Sequence, residues 1–141
     1  MAVKAKPDGY HTITPAFVVK DAERFMGFVK TVLGAQEKDV MRTPDGRLAH
    51  AELQVGDSLL MLGEGEPMAL SLYLYLEDTD GAYRKALQAG ATSEQEPIDQ
   101  FWGDRMATVR DAWGNRWSFA THVEDVAPEE MMKRMAAMAP A

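Results

Sequence analysis

The chain has 141 residues, 46% hydrophobic and 26% charged, the size and composition of one globular domain able to bury a core. A formal net charge of −7 at pH 7, without any basic run, argues against nucleic acid or an anionic membrane surface as partner. The absence of cysteine excludes disulfides, thiolate metal sites and a cysteine nucleophile; with no signal-peptide pattern and no apolar run near the ~20 residues of a spanning helix, a cytoplasmic, non-membrane protein is expected.

Residues 1–9, with Lys4, Lys6, Pro7, Asp8 and Gly9, read as a flexible lead-in. "PAFVVKDAERFMGFVKTVLGA" (15–35) predicts a strand, a capping Asp21, and a helix over 22–33 whose apolar stripe is Ala22, Phe25, Met26, Val29, Val32 and Leu33, closed by Gly34. In "GRLAHAELQVGDSLLML" (46–62), Ala49, Ala51, Leu53 and Val55 alternate with Leu48, His50, Glu52 and Gln54, the mark of a half-buried strand. "SLYLYLEDTDGAYRKALQAGA" (71–91) repeats the strand, capping Asp78 and helix, with Leu70, Leu72, Leu74 and Leu76 on one face and Ser71, Tyr73 and Tyr75 on the other. "DQFWGDRMATVRDAWGNRWSFATH" (99–122) reads as a β-hairpin, cut by turns at 102–104 and 111–115. The terminal "PEEMMKRMAAM" begins like a helix and places Met131, Met135 and Met138 at helical spacing, to cross a dimer seam, cover a pocket mouth, or fray on its own subunit.

Laid over one another, 46–62 and 104–120 match at an offset of 58: Arg47 over Arg105, Ala49 over Ala107, Gly56 over Gly114, Met61 over Phe119. The chain therefore predicts an α+β fold of two βαβββ modules, 10–66 and 67–123, followed by a tail at 124–141. With helices on one sheet face, the free face should carry Leu48, His50, Glu52 and Gln54 in the first copy and Met106, Thr108, Arg110, Arg116, Ser118 and Ala120 in the second. Trp117 and Phe119 should be core.

These paired modules, with "VLGA", "HAELQVGD", "LYLEDTDGAYRKALQAGA", "QFWGDRMATVRDAWGNRWSFATHVED" and "PEEMMKR", resemble the glyoxalase/bleomycin-resistance/dioxygenase (vicinal oxygen chelate) superfamily and, more narrowly, its PhnB-like branch. The resemblance implies curved sheets around a cavity, helices on the convex side, and usually a homodimer. Metal-dependent members take ligands from the first and last strand of each module. That implies Thr14, Leu60, Ser71 and Ser118 here, none of them a usual transition-metal ligand.

Two residues apart on one strand, His50 and Glu52 stand on the same face about 7 Å apart at Cβ. They either transfer and orient a proton on a bound substrate or satisfy polar neighbours such as Arg110 and Thr108. Tyr73 and Tyr75 offer apolar walls with hydroxyl tips, for a ligand or for packing. Phe101 and Trp102 precede the hairpin, to stack on a planar ligand or to anchor their loop. His11 and His122 read as surface histidines, and the turn at Trp113, where Ala112 stands in the place of the relatives' proline, should survive on Gly114-Asn115. The reading is a homodimer that binds a small organic molecule in a metal-free cavity, without cofactor. Its alternatives are an enzyme using His50 and Glu52 without metal, and a metal-dependent lyase or dioxygenase with a non-standard ligand set such as His50, Glu52 and His122.

Overall fold

The computed structural model describes residues 3–138, so the first two residues of the expected lead-in and the last three of the expected tail lie outside the described residues. The chain forms two compact units, dividing after Leu70. In the first, β1 (Ala16–Val19), α1 (Ala22–Leu33), β2 (Gln36–Arg42), β3 (Leu48–Val55) and β4 (Ser58–Glu64) form a sheet of order β1-β4-β3-β2 with one helix. The second repeats it: β5 (Ser71–Tyr75), α2 (Thr79–Gln88), β6 (Thr92–Asp99), β7 (Asp104–Arg110) and β8 (Arg116–His122), order β5-β8-β7-β6, followed by α3 (Pro128–Met138). In each unit only the outer strand preceding the helix pairs in parallel, β1 with β4 and β5 with β8. This is the expected α+β pair of βαβββ modules. No helix among the described residues is long and apolar enough to cross a membrane.

Helix α1 buries Ala22, Phe25, Met26, Phe28, Val29 and Val32, and Phe25 meets Phe17 of β1 with ring centroids 5.0 Å apart. Leu33, expected in that stripe, is only half-buried. Gly34 ends the helix at φ 64 with its N–H on the Lys30 carbonyl, a left-handed stop for which glycine has no steric penalty. The N-terminus is capped twice: the Asp21 side chain accepts from the Arg24 N–H, and Glu64, at the end of β4, accepts from the N–H groups of Asp21 and Ala22 at 3.0 and 2.9 Å.

In the second unit α2 packs Ala82, Tyr83 and Ala86 on a sheet face made of Ala107, Val109, Trp117 and Phe119. Trp117 is 1% exposed, and its indole N–H reaches Asp111 Oδ2 at 2.8 Å. Asp111 also accepts from the backbone N–H groups of Trp113 and Asn115 and from the Asn115 amide, so the turn keeps its shape with alanine at 112. The leucines of β5 are half-buried while its tyrosines are exposed.

Two details of register correct the sequence reading. The hairpin joining β3 to β4 has two residues outside the ladder, Gly56 and Asp57, whereas Asp111 bonds Asn115 across three, Ala112 to Gly114. One fixed offset cannot cross both turns, and a one-residue slip reverses every side chain. By pairing, Ala51–Leu62 corresponds to Ala107–Phe119; Leu60, 5% exposed and opposite Leu53, is core, and Met61 takes the free face. Leu48, expected on the free face, is buried, where the β2–β3 pairing slips between Met41–His50 and Arg42–Leu48.

Replacing Trp117 by alanine removes a large buried side chain and leaves an acceptor site on Asp111 without its donor. It should cost about 3–5 kcal/mol in denaturant titration, whereas Trp102→Ala, in a half-buried loop, should cost clearly less. Equal losses would make the loop part of the core.

Candidate functional site

In the first unit, His50 and Glu52 lie mid-strand on the face away from α1, with His50 Nε2 3.5 Å from Glu52 Oε2. The Tyr10 hydroxyl donates to the other carboxylate oxygen of Glu52. Tyr10 was not singled out from the sequence, because it precedes every periodic segment. Glu52 therefore carries a phenol on one oxygen and faces an imidazole with the other, an arrangement able to bind and relay a proton.

The denser cluster is in the second unit and centres on a residue that sequence reasoning passed over. Asp104, first residue of β7 and 1% exposed, accepts on Oδ2 from the hydroxyls of Tyr73 at 2.6 Å and Tyr75 at 2.9 Å and from Trp102 Nε1 at 3.0 Å. Its Oδ1 is 2.9 Å from His122 Nδ1, and His122 Nε2 is 2.7 Å from Asp125. Burial pushes the Asp104 carboxyl up, but donation from Tyr73, His122, Tyr75 and Trp102 outweighs it and holds the group below the usual carboxylate range. Desolvation, then the bond to Asp104, pushes Tyr73 up to about 12. Asp104 and then Asp125 raise His122 above the ordinary histidine value.

Backbone geometry fixes this loop. Gly103 sits at φ 101, and a Cβ there would lie 2.1 Å from the Glu124 carbonyl oxygen. The Gly103 carbonyl in turn accepts from the N–H groups of Val123 and Glu124, so the chain leaving β8 lies against the loop entering β7. Phe101 packs edge-on against Trp102 with centroids 5.1 Å apart, and its carbonyl accepts from Arg134 of α3.

Of the residues named from sequence, Tyr73, Tyr75, Trp102 and Phe101 come together at the start of β7. Thr108 and Arg110 lie further along that strand: Thr108 is buried and shares a hydrogen bond with Ser118 at 3.0 Å, and Arg110 joins Glu94 and the Gly114 carbonyl. His122, read as a surface side chain, belongs to the cluster, while exposed His11 lies apart from it, against the Asp57 carbonyl. A signal for Asp104 was present: strand parity puts it with Met106, Thr108 and Arg110.

The strand positions that would ligate a metal do not suit one. With the register corrected, the free-face residues of β1 and β4 include Ala16, Val18, Met61 and Gly63, none with an imidazole or carboxylate, and Ser118 stands opposite Tyr73. Both His122 nitrogens are occupied by carboxylates, which favours the cation over the neutral ligand form. Among the described residues no three His, Asp or Glu side chains are grouped to hold a metal. A cleft of about 600 Å³ opens elsewhere, at the start of α1, lined by Asp21, Glu23, Thr43, Arg47, Leu48 and Glu64, but Glu64 is committed to the helix N-terminus and Glu23 to Arg42.

Residues 11–119 match the family described as the Glyoxalase/Bleomycin resistance protein/Dioxygenase superfamily. An uncharacterized protein of Mycobacterium bovis is 30% identical, with 96% of each chain covered. Among solved structures, TioX from Micromonospora sp. ML1 superposes with TM-score 0.68 at 24% identity, over 80% of this chain and 99% of its own. A fosfomycin resistance protein, FosX, of Listeria monocytogenes gives 0.65 at 13%, over 86% and 97%. At these identities the two structures share the fold.

The cluster makes stability depend on pH in two directions. His122, raised above 6.5, contributes fully below that pH and loses its contribution as pH climbs through the raised value; Asp104, lowered from 3.8, contributes above that pH and loses it as pH falls through the lowered value. The gap in Tm between the wild type and His122→Gln should therefore be wide near pH 5.5 and narrow by pH 9. A gap independent of pH would mean that the imidazolium adds nothing.

Proposed function

The chain belongs to the glyoxalase/bleomycin resistance protein/dioxygenase superfamily, and from that premise we propose that it binds a small organic molecule on the free sheet face of its second unit, without a metal. The observation that carries this reading is the state of the aromatic residues there. Tyr75 is 64% and Tyr73 44% exposed, although both hydroxyls and the Trp102 N–H are fixed on Asp104. Rings pinned at their polar tips and open along their bodies suit a ligand: orientation is settled before binding, so little conformational entropy is lost on contact. The runs "QFWGDR" and "WSFATHVED", which carry the PhnB-like resemblance, supply Trp102, Asp104 and His122, and the proposal places the chain in that branch, as a cytoplasmic homodimer.

A second reading rests on Tyr10, His50 and Glu52. Their contact supports proton transfer on a bound substrate, and so an enzyme that needs no metal. A metal-dependent lyase or dioxygenase built on His50, Glu52 and His122 is less well supported, because His122 already bridges two carboxylates.

Native mass spectrometry of the purified protein tests the ligand reading. A small molecule should remain bound, and Tyr75→Ala, which removes an exposed ring, should weaken its binding about tenfold while leaving the Tm within a few degrees. Retention unaffected by that variant would move the site elsewhere. Glu52→Gln then separates the two readings: loss of turnover with the fold intact marks an enzyme, unchanged binding a sequestering protein.

For assembly, light scattering at micromolar concentration should give twice the 15.6 kDa of one chain. A mass near the single-chain value would remove the dimer from the proposal.

A further inference from the structure

Resting on the ligand reading above, we propose that the aromatic surface around Asp104 receives a cationic organic group, an alkylated or protonated ammonium, in preference to a neutral or anionic one. Two independent features carry the inference.

The first is where the polar atoms point. The hydroxyls of Tyr73 and Tyr75 and the indole N–H of Trp102 all donate to Asp104, so the groups that would meet an anion with a hydrogen bond are turned inward. What remains outward is ring surface. The Tyr73 and Tyr75 rings lie edge to face with centroids 5.5 Å apart, and Phe101 packs perpendicular to Trp102. Aromatic faces carry the negative lobe of the ring quadrupole, and trimethylammonium groups bind by approaching such faces.

The second is the balance of charge beside the rings. Two ion-pair groups flank the loop at 100–104, and in each of them two carboxylates share one cation: Asp104 and Asp125 with His122, Glu124 and Glu130 with Arg134. The far end of β7 is the reverse, for there Glu94 alone pairs with both Arg110 and Arg116, at 2.9 and 3.0 Å. Along the seven residues of β7, roughly 20 Å of strand, the field passes from anionic to cationic. An ammonium is drawn to the aromatic end; an anion is drawn away from it.

The test uses three small probes and the full-length protein, read by the NMR shift of the Trp102 indole N–H: choline, its uncharged carbon isostere dimethylbutanol, and pivalate. Choline should bind at least about tenfold more tightly than the alcohol, with no shift from pivalate. Tyr75→Phe, which keeps the ring, should preserve choline binding, and Tyr75→Leu should weaken it about tenfold or more. Equal binding of choline and the alcohol, both weakened by Tyr75→Leu, would overturn the cation assignment while the ligand reading stands. Failure of choline to shift the resonance at millimolar concentration would also overturn it, the ligand reading then being decided separately by native mass spectrometry. Tighter binding of pivalate would reverse the sign of the site.

Discussion

An ionised carboxylate removed from water is tolerated only where donors replace the lost hydration, and much of the second unit answers that requirement. Asp104 draws in β5 through Tyr73 and Tyr75, its own loop through Trp102, and the end of β8 through His122. The segment after β8 is then held against Gly103 and by Arg134 from α3. Asp111 does the same at the opposite end of β7, gathering Trp113, Asn115 and Trp117. The strand is thus bounded by two carboxylates, one organising the core side of the sheet and one the exposed side.

The two units share a topology and have diverged in what they place on it. Pairing sets Leu48 of the first against Asp104 of the second, and Ala16 and Val18 against Tyr73 and Tyr75. The cluster therefore has only hydrocarbon as its counterpart. Conversely His50 and Glu52 correspond to Met106 and Thr108. Each copy carries ionisable side chains where the other has none, so one copy's site cannot be read off the other's.

The architecture was legible because period-two strands, two Asp-capped helices and glycine stops are local signals, and they recur. Faces were legible too, with Trp117 and Phe119 falling in the core and the tyrosines outside it. Failure came where an irregularity intervened. A turn one residue longer in the second copy broke the fixed offset that set Leu60 over Ser118, and a slip in the β2–β3 ladder accompanies the burial of Leu48. Tyr73, Tyr75, Trp102 and Phe101 were found as aromatic residues, but what unites them was not, because an aspartate after a glycine looks like turn chemistry until its burial is known. His122 gave no local cue, since its role comes from Asp104, opposite it in the ladder.

The double cap on α1 bears on how the first unit assembles. Part of it is local, from Asp21, but the Glu64 carboxylate reaches Asp21 and Ala22 from 43 and 42 residues further along the chain. The opening turn of the helix is completed only when β4 has closed alongside β1, a long-range event with a high loop-closure entropy. In the second unit the matching contact is the Thr121 hydroxyl on Thr79, across 42 residues and without a charge. Helix and last strand are consequently coupled in both units, so fraying of one removes a contact of the other, the coupling being through a carboxylate in the first unit and through hydroxyls in the second.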